Sequence, residues 1–176
     1  MRAPPLVGER VTLRHPEPRD LDYLVRFAND EDLRGWLRFH RPMTRSDEAS
    51  WLHGLEHGDD TVWVMTPPGG AEPVGSIGLH DLDRLASHAE LGLGILGVEN
   101  RGRGLGGEAC RLALHHAFGE MRLQRVHLHV YTDNPAVRLY ERLGFRIEGT
   151  LRRHGWKRGA WRDQHVMGIL CEEWRE

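Results

Sequence analysis

The run "NRGRGLGGEA", residues 100–109, sets four glycines and two arginines immediately ahead of an apolar stretch. Glycine lets main-chain N–H groups come close to a ligand that β-carbons would hold off. Several such groups in succession, ahead of a helix, form a concave site for an anion. Gly102, Gly104 and Gly107 satisfy a dinucleotide-binding G-x-G-x-x-G by count. That pattern expects an acidic ribose contact about 20 residues further on, whereas the first acid after the following strand is Asp133. No Gly-Lys-Ser/Thr follows, which removes a nucleoside-triphosphate P-loop. Two readings remain: an ordinary glycine-rich turn, or a pyrophosphate cradle grouped as Arg101-x-x-Gly104-x-Gly106.

The preceding stretch, "ELGLGILGV" (90–98), bears on that choice. Leu91, Leu93 and Ile95 alternate on one face, but Leu96 and Val98 hold the opposite parity. Side chains alternate strictly along a strand, so the switch predicts a β-bulge near Ile95–Leu96. Gly92, Gly94 and Gly97 leave room there for another backbone. Main-chain groups left unpaired at a bulge can bind an extended amide chain as a surrogate strand. A ligand with a pyrophosphate at one end and an amide-rich arm is coenzyme A.

The elements that must position these residues read as one mixed α/β (α+β) domain over 1–176, without repeats, linkers or low-complexity tracts. Hydrophobic periodicity predicts strands at 10–16, 61–65, 74–82, 90–98, 125–131, 145–152 and 161–170. It predicts helices over 17–30, within 45–57 with Ser46 as N-cap, and over 105–121. The third helix carries a polar stripe of Glu108, Arg111, His115 and Arg122 on an otherwise apolar surface. A short fourth helix spans 134–143, with Asn134 as N-cap, Pro135 at the first position and Gly144 just past the end. The sheet should be strongly twisted, with six or seven strands flanked by helices and splayed at its centre by the bulge.

Composition limits the class. At 176 residues with 39% hydrophobic and 28% charged content, the chain is a folded single domain rather than a disordered one. No apolar run reaches the roughly 18 residues of a membrane span, and the N-terminus lacks the apolar core of a signal peptide. With only Cys110 and Cys171, no disulfide scaffold is possible, and a cytoplasmic protein is expected. Net charge is −2 but segregated: residues 1–100 hold 10 basic and 17 acidic side chains, residues 101–176 hold 14 and 9. The basic half contains the glycine run, as a polyanionic ligand requires.

The stretch "ELGLGILGVENRGRGLGGEA" resembles the strand and pyrophosphate motif of the GNAT superfamily of acetyl-CoA-dependent N-acetyltransferases, and "VYTDNPAVRLYERLGF" resembles its second signature. The opening "LVGERVTLRHPEPRDLDYL" and closing "EGTLRRHGWKRGAWRDQHVMGIL" look most like the RimJ/RimL branch, which acetylates protein N-termini. The resemblance implies a GNAT-like fold with acetyl-CoA as cosubstrate and no metal. It implies that the amides of Arg101, Gly102, Arg103, Gly104, Leu105 and Gly106, with Gly107 adjoining, cradle the pyrophosphate. The backbone around Ile95, Leu96 and Val98 would pair with the pantetheine arm. Asn134 would hydrogen-bond the coenzyme, and Tyr140, which matches the wider superfamily rather than the branch, would lie near its sulfur.

Acyl transfer to an amine needs a neutral nucleophile, a stabilised oxyanion and a protonated leaving thiolate. An α-amine, with pKa about 8, asks less of a base than a lysine amine near 10.4. Glu90 is the expected base, since it begins the strand and faces away from Leu91. Tyr140 is the expected acid, and a main-chain N–H around Leu96 the oxyanion donor. A protein N-terminus is the first-choice acceptor. A small amine (polyamine, aminoglycoside or amino acid) is the second, and a non-catalytic acyl-CoA sensor is the alternative of another class. A monomer or homodimer is expected, with no nucleic-acid or membrane partner.

Two motifs distract from this reading. His53, Glu56 and His57 fit an H-x-x-E-H zinc pattern, but Gly54 and Gly58 weaken the helix it needs. "RRHGWKRGAWR" (152–162) mixes basic and aromatic residues as nucleic-acid surfaces do, yet reads better as a hairpin bordering the substrate cleft. His127 and His129 share a strand face and are read as polar or partly buried residues.

Overall fold

The computed structural model describes residues 5–37 and 41–175. Eight strands form one sheet in the order β1-β2-β3-β4-β5-β6-β8-β7. They are β1 (Leu6–Val7), β2 (Thr12–Arg14), β3 (Thr61–Thr66), β4 (Gly75–Asp83), β5 (His88–Ile95), β6 (Arg125–Tyr131), β7 (Arg146–Lys157) and β8 (Ala160–Leu170). Among the described strands, β5 and β6 are the one parallel pair. The helices are α1 (Leu21–Asn29), α2 (Glu31–Arg34), α3 (Arg45–Gly54), α4 (Leu105–His115) and α5 (Ala136–Arg142). The strand beyond the seven read from sequence is β1, two residues paired with Leu13 and Thr12.

Both faces of the sheet are covered. Leu105, Ala109, Cys110, Ala113 and Leu114 of α4 pack on Leu79, Leu91, Val126 and Leu128, with Tyr140 and Phe145 closing the same core. On the other face Tyr23, Leu24 and Phe27 of α1 pack with Leu33 and Val64. Leu96 joins this second cluster while Leu93 and Ile95 pack against the first. The parity switch at Ile95–Leu96 therefore reflects a strand end buried on both sides, not the bulge the sequence suggests. The β4–β5 ladder runs in register from His80–Glu90 to Gly75–Ile95, and its shift falls between His80 and Asp83. The strand also stops at Ile95, short of 98, because Gly97 turns the chain at φ +77° into a 3-10 turn, Val98–Asn100.

Other boundaries moved for local reasons. Thr44, not Ser46, caps α3, in a reciprocal capping box with Asp47. Helix α4 ends at His115 and continues as a π-turn to Glu120. Glu108 leaves the expected solvent-facing stripe and accepts the main-chain N–H groups of Glu9 (3.0 Å), Arg10 (2.7 Å) and Val11 (2.8 Å). That ties the β1–β2 turn to α4.

Glu48, on α3, is 6% exposed. Burial, then the neighbouring Asp47 charge, raises its pKa to about 7. The folded state thus holds this proton more tightly than the unfolded chain does. Its stabilisation is present below about pH 4.5 and is lost as pH rises through 7. Glu48→Gln should remove this loss, leaving the variant more stable at pH 8 by on the order of 2 kcal/mol. Urea unfolding at pH 5 and pH 8 checks it, and equal pH dependence in both proteins would refute it.

Candidate active site

The gap between β5 and β6 is the centre of the site. These strands pair only where His88–Glu90 meets Arg125–His127. Beyond Glu90 they part, while β5 stays on β4 as far as Ile95 opposite Gly75. One edge of β5 therefore opens onto the splay that the sequence leads one to expect.

Main-chain groups in an antiparallel pair point alternately toward and away from the partner. Leu96 N–H donates to Val74 O at 2.9 Å, so Leu96 points at β4. Its carbonyl accepts from Asn100 Nδ2 at 2.9 Å. Both main-chain groups of Leu96 are occupied, which removes it as the oxyanion donor. The alternating neighbours Leu93 and Ile95 turn their N–H groups into the splay, where the Arg101 guanidinium reaches Ile95 O at 3.3 and 3.4 Å. Gly94 does not admit a second backbone as the sequence suggested. A β-carbon there would stand 2.5 Å from the Phe27 ring, so this glycine seats α1.

Gly104 leads the glycine-rich loop into α4. It sits at φ +81° and is the N-cap, with no side-chain cap. The first helical bond runs from Glu108 N–H to Gly104 O at 3.1 Å. The N–H groups of Leu105, Gly106 and Gly107 have no partner one turn back and project from the positive end of an 11-residue helix. That is a cradle for an anion, and a side chain at 104 would intrude on it. Arg10, which the sequence gave no reason to place here, lies with Nη1 3.2 Å from a β-carbon at 104 and donates to Arg103 O at 3.4 Å. Gly106 serves packing, since a β-carbon there would stand 3.2 Å from Ile95, whereas one at Gly107 would meet Leu139 at an ordinary 3.4 Å. Val98 is exposed on the turn between strand and loop. Pro135, not Asn134, is the N-cap of α5, because the helix begins one residue later than expected, at Ala136. Asn134 Oδ1 accepts Ala136 N–H at 2.9 Å from just outside it, which leaves its Nδ2 as the donor end for a ligand.

The Arg101 side chain turns from the loop to pair with Asp32 of α2. Asp32 also takes Arg158 Nη2 at 2.8 Å, and the two arginines together hold its carboxyl below the ordinary range. Arg158 and Gly159, both at positive φ, make the two-residue turn between β7 and β8. The Arg158 guanidinium lies 4.8 Å from the Trp36 ring, and the buried Lys157 donates to Arg34 O at 2.9 Å. The basic hairpin thus closes on α2, as a cleft-bordering element should. A cavity of about 750 Å³ runs along it, lined by Thr150, Leu151, Arg152, Arg153, His154 and Asp163.

Glu90 lies between His80 on β4 and His127 on β6, on the face away from α4. Its side chain is 13% exposed, and Oε1 is 3.1 Å from His129 Nδ1. Tyr140 is buried, edge-on to Phe145 at 5.8 Å, and burial with nearby Cys110 pushes its pKa well above the ordinary phenol value. Cys110 is itself buried, its thiol pushed up to about 12. His53, Glu56 and His57 bring ligand atoms within 4.8 Å of one another, all exposed. However, α3 ends at Gly54, so they lie across a turn rather than along one helix face as the zinc-protease pattern needs. Among the described residues, no helix is long and apolar enough to cross a membrane.

Known proteins resemble this chain in sequence and fold. A family model described as "Acetyltransferase (GNAT) domain" matches residues 10–146. YdaF of Bacillus subtilis (strain 168), named as a candidate ribosomal N-acetyltransferase, is 31% identical, over 96% of this chain and 95% of its own. A spermidine N(1)-acetyltransferase of Vibrio cholerae is 27% identical, over 93% and 95%. The crystal structure of spermidine N-acetyltransferase from Vibrio cholerae in complex with CoA and spermine superposes with a TM-score of 0.86 at 25% identity, covering 94% of this chain and 98% of that one.

Proposed function

The chain belongs to the GNAT family and is an acetyl-CoA-dependent N-acetyltransferase, and from that premise we propose that its acceptor is the α-amine of a protein N-terminus. The observation that carries this reading is the charge on the acceptor side of the splay. Of the acids Asp30, Glu31 and Asp32, which could attract a polycation, Asp32 is taken by Arg101 and Arg158, and Asp30 caps α2 through Leu33 N–H at 2.8 Å. The cavity along the hairpin presents Arg152, Arg153 and His154 against a single acid, Asp163, whose Oδ1 already accepts Arg153 N–H at 2.7 Å. A spermidine-like polycation would meet repulsion there, whereas a peptide brings one amine and a row of carbonyl acceptors.

In this reading Glu90 takes the proton from the attacking amine, and the N–H groups of Ile95 and Leu93 face the carbonyl oxygen as it gains charge. The Leu105–Gly107 amides hold the coenzyme's pyrophosphate, and Asn134 binds its arm. Acetyl-CoA supplies the activated acyl group. Cys110, buried and protonated, offers no thiolate for an acetyl-enzyme, which favours direct attack in a ternary complex.

Tyr140 keeps its proton at any physiological pH, so it serves the leaving sulfur as a hydrogen-bond donor, and complete transfer from so weak an acid is uphill. Tyr140→Phe should lower kcat about 10-fold, below the usual range for a matched general acid, and leave the acetyl-CoA Kd unchanged. Unaltered kcat would remove Tyr140 from the chemistry.

Thiol release from acetyl-CoA, followed across unacetylated peptides, spermidine and an aminoglycoside, tests the acceptor. Turnover on peptides with little on spermidine is expected, and the reverse ranking would overturn the proposal in favour of a polyamine enzyme. Coenzyme binding without turnover on any amine would point to a sensor.

A further inference from the structure

A row of imidazoles runs across the acceptor face beside Glu90. His88 and His127 are edge to face at 5.5 Å between ring centroids, and His127 and His129 at 6.0 Å. His129 and His154 are nearly parallel at 6.4 Å. His129 contacts Glu90 directly, through Nδ1. Three side chains grade outward: Glu90 is 13% exposed, His129 21%, and His154 stands exposed along the hairpin cavity. A base that removes a proton from each amine must shed it before the next turnover, and a nearly buried carboxyl cannot pass it straight to bulk water.

We propose that His129 is a positioning and proton-transfer partner of Glu90, fixing the carboxylate toward the splay and carrying its proton outward past His154. The proposal rests on Glu90 being the base. During attack the amine nitrogen bonds to the acetyl carbon, the carbon–sulfur bond breaks, and one amine proton moves to Glu90. The protonated Glu90 passes it to His129 Nδ1, and the imidazolium releases its Nε2 proton to solvent at the His154 end. Glu90 is then a carboxylate again, the neutral ring regains its Nε2–H tautomer by proton exchange with water, and the departing thiolate takes a proton from solvent to leave as thiol.

The surroundings fit a transient cation at this position. Burial depresses the pKa of His127, so the ring edge-on to His129 is neutral and offers no like charge. His80 of β4, opposite Glu90, is paired at 2.9 Å with Asp60 just ahead of β3, and Arg125 is tied to Glu148 on β7. Glu90 is the acidic partner that faces His129 directly. This pairing joins residues 39 apart in sequence and exists because β5 and β6 pair in parallel for three residues before they part.

The test uses the full chain and the best amine of the acceptor panel, peptide or polyamine. His129→Gln keeps a side chain able to hydrogen-bond Glu90 but unable to accept and release a proton. It should lower kcat about 10-fold or more, with acceptor KM and acetyl-CoA Kd within about twofold. In His129→Ala, added imidazole should restore kcat at least threefold, which a purely structural role would not allow. If His129→Gln keeps kcat within twofold while Glu90→Gln loses it, the inference falls and Glu90 remains the base. Full activity in both variants would remove Glu90 and the inference with it. Should His129→Ala not fold by circular dichroism, His129→Gln alone decides.

Discussion

Glu90→Gln is expected to lower kcat by about 10²-fold or more while acetyl-CoA binds as tightly as before. The substitution keeps the size and shape of the side chain and its place opposite His127, so the sheet should be undisturbed. It also keeps an oxygen within reach of His129 Nδ1. What it removes is the capacity to take a proton. The coenzyme contacts assigned to the loop before α4 lie on separate residues, so affinity for the cosubstrate should not follow kcat down. The loss should be felt most with acceptors of high amine pKa, because a free amine must then be generated at the site. Titrating acetyl-CoA calorimetrically and measuring initial rates on a peptide and a lysine-like amine separates the two quantities. A variant within threefold of wild-type kcat on both amines would show that solvent, not Glu90, takes the proton.

The elements closest to this chemistry differ in how much of them the sequence disclosed. Strand β6 was legible residue for residue, because Val126, Leu128 and Val130 bury one face and polar residues hold the other. The end of β5 was not. Apolar residues of both parities there answer to two helices on opposite faces, and a single strand carries no sign of α1 packing on its second face. The turn of Gly104 into α4 could be placed because positive-φ glycine ahead of a helix is a local requirement. Leu96 as donor failed because Val74, 22 positions earlier, claims its N–H. Glu108 looked like a solvated helix residue, yet it holds three amides 97 to 99 positions away. His129 was visible as a strand residue, but its value depends on which strand lies beside β6 and in which direction. Local geometry is written in neighbouring residues, whereas these partnerships follow from sheet topology.

Gly104→Asp should weaken acetyl-CoA binding about 30- to 100-fold with only a small loss of stability. Gly104 holds φ +81°, a region that costs an L-residue roughly 1–2 kcal/mol, though Asp and Asn visit it more readily than others. The backbone should therefore survive the change. The carboxylate would lie over the Leu105–Gly107 amides, where the coenzyme's pyrophosphate is expected. A unit charge a few ångströms from another, in a partly solvated site, is worth about 2–3 kcal/mol, and 1.4 kcal/mol is tenfold in Kd. Arg10, with Nη1 3.2 Å from a β-carbon at this position, would pair with the new acid and so be withdrawn from the ligand as well. Gly104→Asn isolates the charge, since it brings the same bulk and backbone demand without it. The Asn variant should lose only about fivefold, and the gap between the two should narrow as salt rises. Calorimetric titration with coenzyme A at low and high salt measures that gap. If Asp and Asn weaken binding equally, the loop meets its ligand by shape alone. The anion then lies elsewhere than over the first turn of α4.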